Sequence, residues 1–106
     1  SMTGRSAEEK YKIATVACEN GIHEKALELF SELEKEIPYD GNLLYFKAVA
    51  AAECGNDAMA ESALARLIEI YPDAEVAKYY LGRLRLHKAD PEKNARPAFT
   101  YFYKVP

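Results

Sequence analysis

Only two cysteines and two histidines occur in the 106 residues, and their positions offer little to a metal or a nucleophile. Cys18 and Cys54 have neither a second cysteine nor a histidine at ligand spacing, and the same holds for His23 and His87. The cysteines read as reduced packing thiols of a cytoplasmic protein, a Cys18–Cys54 disulfide being the other reading. No metal and no cofactor are expected. Basic charge is not in excess: 14 Lys and Arg stand against 17 Asp and Glu, for a net charge of −3. A nucleic-acid partner, which calls for a basic stripe, is not expected. No apolar run approaches the ~18 residues of a membrane span, so no membrane partner is expected, and the polar N-terminus does not read as a signal peptide. No strand is read, so no glycine-rich loop follows one. Glu8-Glu9, Glu34 and Glu36 sit among lysines as solvated helix charge, with nothing to desolvate them. Ser31 and Ser62 have no base near them in sequence. An enzyme is therefore not expected.

What the chain does have is helix-forming sequence with regular punctuation. Hydrophobic residues make up 49 %, enough for the core of one domain. Ala26, Leu29, Phe30, Leu33 and Ile37 recur at three and four, the stripe of an amphipathic helix. Gly21 and Gly55 read as helix stops, and Asp57 as an N-cap. Six helices are expected, in three pairs. The last begins at Asp90-Pro91 and is irregular near Pro97, which a helix interior tolerates poorly. Ser1-Met2 reads as a cloning remnant and residues 1–6 as a disordered N-terminus. Residues 7–106 read as one domain, a fragment of a longer protein being one reading because the chain stops on a repeat-marking proline.

That proline belongs to a period. Pro38, Pro72 and Pro106 are 34 residues apart, as are Tyr11, Tyr45 and Tyr79; Gly21 and Gly55, Ala26 and Ala60, and Leu33 and Leu67 keep the same spacing. Ile13-Ala14, Ala17, Ala26 and Phe30 before Pro38, and Leu44, Ala48, Ala51, Ala60 and Leu64 before Pro72, resemble the tetratricopeptide repeat; Leu81-Gly82 and Pro106 extend the match. The resemblance implies an all-α solenoid of three stacked helix–turn–helix repeats, at about 7–40, 41–74 and 75–106. It also implies that first helices line a concave groove holding a peptide or helix of a protein partner, as in an adaptor or scaffold. The groove residues would be Tyr11, Thr15, Asn42, Tyr45, Val49, Tyr79, Arg83 and His87, the three tyrosines forming a ladder. The Lys, Asn and Arg with which some members grip a C-terminal carboxylate are lacking at the corresponding places. The aromatic end gives a competing expectation: Phe99, Phe102 and Tyr103 form a self-association surface through which a structural segment would dimerise.

Overall fold

The computed structural model describes residues 6–100 and 103–106. Five helices follow one another: α1 (Ala7–Glu19), α2 (His23–Glu36), α3 (Gly41–Glu53), α4 (Asp57–Ile70) and α5 (Glu75–Ala89). Their ends are set by local chemistry. Ser6 and Glu9 form a reciprocal capping box at the start of α1. Asp40 accepts from the Leu43 amide at 2.9 Å to cap α3, and Asn56 accepts from the Met59 amide at 3.1 Å to cap α4. Gly21 and Gly55 close α1 and α3 with φ of 78° and 77°. This left-handed conformation lets the following amides turn back to the carbonyls of Ala17 and Ala51.

The helices pack in chain order, α1 on α2, α2 on α3, α3 on α4 and α4 on α5, and α1 also touches α3. Close approach comes from alanine: Ala14, Ala26, Ala48 and Ala60 are wholly buried. Between them lie Leu29, Phe30, Leu33, Leu43, Leu44, Leu64 and Leu67, each burial contributing about 1.5–3 kcal/mol. The centre is α3, buried from Leu43 to Phe46 and again from Ala48 to Ala52. A helix apolar on nearly every side must be surrounded. Among the charged contacts, Glu61 of α4 accepts from Arg85 and Lys88 of α5. These hydrogen bonds hold its carboxyl below the ordinary glutamate range.

The architecture is thus all-α, but it corrects the expected six-helix solenoid of three repeats. It is a compact five-helix up-down bundle, with a radius of gyration of 13.3 Å, against about 13 Å for a compact domain of 100 residues. Among the described residues there is no third helix pair. Asp90 does cap a turn, accepting from the Lys93 amide, but nothing continues it. Glu92, Lys93 and Asn94 offer no apolar face, and Pro97 removes a donor and biases Arg96 toward extended backbone. Residues 95–100 and 103–106 have no helix or strand and run back over the bundle as a strap. Gly82, expected at a helix crossing, instead faces open space. Of the expected tag remnant and disordered N-terminus at residues 1–6, residues 1–5 lie outside the described residues, as does Phe102, while Ser6 is the N-cap of α1.

Candidate functional site

Helix α3 presents Asn42 and Tyr45 toward the strap. The Tyr45 hydroxyl donates to the Thr100 carbonyl at 2.6 Å, and the Asn42 Oδ1 accepts from the Val105 amide at 2.8 Å. Side chains fill the spaces between these bonds. Phe99 stacks on Tyr80 of α5 with ring centroids 4.6 Å apart, and Tyr103 meets Tyr45 edge-on at 5.0 Å. Val105 rests against Gly41, where a Cβ would come within 2.8 Å of its Cγ1. At the strap's other end, Arg96 donates to Asp57 and to the Ala52 carbonyl. The His87 Nδ1 lies 2.8 Å from the Asn94 carbonyl oxygen. Tyr45 is sealed from water, and burial, seconded by Tyr80, pushes its phenol well above the ordinary range. The Tyr103 hydroxyl is buried with no hydrogen-bond partner, and burial raises its pKa too.

Beside the strap, a trough of about 740 Å³ opens between α1 and α3. Tyr11, Thr15, Val16, Ile37 and Phe46 line it, and Asn42 and Lys104 border both trough and strap. Its floor is aromatic: Tyr11 meets Phe30 and Phe46 edge-on at 6.1 and 6.3 Å, and those two stack at 5.8 Å. Burial, then the Asp40 carboxylate, drives the Tyr11 phenol upward. The Thr15 hydroxyl, on the trough's lining, donates to the Tyr11 carbonyl at 2.8 Å.

The residues expected to bind a peptide therefore divide. Tyr11, Thr15 and Asn42 line the trough. Asn42 and Tyr45 bond the chain's own strap, and the His87 ring bonds Asn94 just ahead of it. Val49 is wholly buried and presents nothing to a ligand. Tyr79 is 63 % exposed on the outer side of α5, and Arg83 is half-buried on the same helix. The tyrosine ladder is thereby corrected: Tyr11 is half-buried, Tyr45 sealed and Tyr79 exposed. Phe99 and Tyr103, expected as a free self-association face, are half-buried against their own bundle. Ile37, Val16, Lys104 and Arg96 were not among the expected site residues, Ile37 being read only as part of the apolar stripe of its helix. The missed signal is parity: after Pro97, the residues Phe99, Tyr103 and Val105 are separated by even numbers, the one-face pattern of extended chain.

The Cys54 thiol is raised by burial and by the carboxylates of Glu24 and Glu53, the opposite of an activated nucleophile. Among the described residues, no group of three or more His, Cys, Asp or Glu is arranged to hold a metal ion. Nor is any described helix long and apolar enough to cross a membrane.

No family model matches this chain, and no curated protein or solved structure matches it either. With five sequentially packed helices in place of three stacked pairs, this corrects the tetratricopeptide resemblance: the 34-residue spacing marks two similar helix hairpins, α1–α2 and α3–α4, and not membership of that family.

Proposed function

We propose that this chain is a non-catalytic interaction module that takes a peptide of a protein partner into the trough between α1 and α3. The observation that carries the reading is the neighbouring strap. Asn42 and Tyr45 already hold non-helical chain through side-chain hydrogen bonds to main-chain atoms of Val105 and Thr100, and the trough continues from Asn42. Peptide grooves take affinity from such main-chain bonds and selectivity from side-chain pockets. Here the pocket would be the aromatic floor of Tyr11 and Phe46 between Val16 and Ile37. Thr15, Lys12 and Glu19 supply polar groups along the rim. The net negative charge speaks against nucleic acid as the partner. A chain with so few cysteines, none at metal-ligand spacing, suits a reducing compartment, and we assign the module to the cytoplasm.

The test is selection of a random-peptide display library on the purified chain. Enriched peptides should lose at least ten-fold in affinity for Val16→Glu and Tyr11→Ala, and should keep it for Tyr79→Ala, whose ring faces away from the trough. Absence of enrichment, or binding indifferent to Val16→Glu, would refute the reading. The competing role, a structural segment dimerising through bare aromatics, finds no support at Phe99 and Tyr103, whose rings are engaged within the molecule.

A further inference from the structure

Helices α1, α3 and α4 carry side-chain caps of their own, the five helices share one buried core, and the strap lies over it. Its hold on α3 has two parts of different character. On the described part of the strap, Tyr45 and Asn42 bond main-chain atoms, Thr100 O and Val105 N, and so would accept another segment of chain in that position whatever its side chains. Selection comes from side chains of the strap's described residues: Phe99 on Tyr80 and Tyr45, Tyr103 on Tyr45, and Val105 against Gly41. The fit is imperfect at one place. The Tyr103 hydroxyl is buried without a partner, whereas a phenylalanine there would leave nothing unsatisfied.

We propose that the seat over α3 and α5 is an exchangeable peptide site with the strap as its resident occupant. The occupant it takes from outside is an extended segment of a protein partner. That segment carries an aromatic residue, a phenylalanine four positions later and an aliphatic residue two positions beyond that. The strap reproduces this pattern with tyrosine in the middle place, and so holds the seat closed without filling it to best advantage. Being tethered, it competes at an effective concentration in the millimolar range, and an incoming segment succeeds through the better central contact or when the strap is weakened. Displacing the strap also uncovers the Tyr45 ring, which carries contacts to Phe99 and Tyr103. The trough is not required, since the ring contacts of Tyr11 run to Phe30 and Phe46 and those of Phe99 and Tyr103 to Tyr45 and Tyr80.

The probe is a fluorescent synthetic peptide with the sequence of residues 94–106 and phenylalanine at the place of Tyr103, titrated by anisotropy against full-length chains. Against the wild-type chain, binding should be weak. Against the F99A/Y103A chain, whose own strap has lost two anchors, it should tighten at least ten-fold. Adding Asn42→Ala to that variant should cancel the gain, and the tyrosine version of the peptide should bind several-fold less well than the phenylalanine version. Tyr11→Ala should leave the titration unchanged, which separates this site from the trough: library selection can fail while this titration succeeds, and the reverse. Equal binding to wild-type and F99A/Y103A chains, or none to either, overturns the proposal. Loss of the helical circular dichroism of F99A/Y103A overturns it as well, because the strap would then be part of the core and not exchangeable.

Discussion

The hydroxyls of Tyr45 and Tyr103 belong to rings 5.0 Å apart and meet opposite surroundings. The first donates to the Thr100 carbonyl at 2.6 Å, and the second is buried with no partner. Removing the same atom from each should therefore act in opposite directions. Tyr45→Phe gives up a good hydrogen bond and should lower stability by about 1 kcal/mol. Tyr103→Phe relieves an unsatisfied buried group and should raise it by about 1 kcal/mol. Urea unfolding of the two variants beside the wild-type chain reads both, and shifts of the same sign would mean that the strap is not seated as described. The pair also shows what spacing conveys about a residue and what it does not. Tyr11, Tyr45 and Tyr79 recur at 34 residues, which fixes where each stands along its helix. Burial depends on what covers that helix. α3 has neighbours around it and the strap above, while the side of α5 that bears Tyr79 has none among the described residues.

Among the elements, α1 to α5 were legible because their signals are local and mutually consistent: Gly21 and Gly55 end α1 and α3 and alanines mark the crossings, although the cap of α4 is Asn56, one residue ahead of the expected Asp57. The sixth expected helix had a true start signal, since Asp90 caps a turn, but no stripe to bury and a proline within reach. A start signal without an apolar face makes one turn, because most helix stability in proteins comes from packing that face. With no sixth helix, the two glycines of the bundle's flank carry opposite expectations. Gly82 lies mid-helix in α5 with nothing within 4 Å of a Cβ. Gly82→Ala should therefore stabilise the chain by about 0.5–1 kcal/mol through helix propensity alone. Gly41 begins α3, where a Cβ would come to 2.8 Å from Val105 Cγ1 and 3.1 Å from Tyr71 Cε2. Gly41→Ala should push the strap's end away, seen as faster amide exchange at Val105 with no gain in thermal midpoint. Had a helix crossed at Gly82, as the small residue suggested, Gly82→Ala would instead destabilise.

For the molecule as a whole, the strap is what turns a helical bundle into a sealed aromatic cluster, and that seal has a signature at alkaline pH. Burial raises the phenols of Tyr45 and Tyr11 well above the ordinary tyrosine value, in Tyr11 with help from Asp40. In the unfolded chain both release their protons near pH 10, while the native chain keeps them. A group whose native pKa is raised contributes stability that is intact below its unfolded pKa and drains away as pH climbs toward the native one. Each retained proton gives a loss of at most about 1.4 kcal/mol per pH unit above pH 10. Tyr45, closed to water, should come near that limit; Tyr11, half-buried beside the trough, should fall short of it. The expected result is a stability plateau through neutral pH and a steep fall above about pH 10, with the last tyrosinate absorbance appearing together with the loss of helical circular dichroism. Tyr11→Phe should flatten the fall by less than Tyr45→Phe does, and the F99A/Y103A chain, whose Tyr45 is uncovered, should ionise that phenol before it unfolds. If tyrosinate formation in the wild-type chain were complete while the helices remained intact, neither phenol would be shielded, and the strap would not be closing the seat over α3.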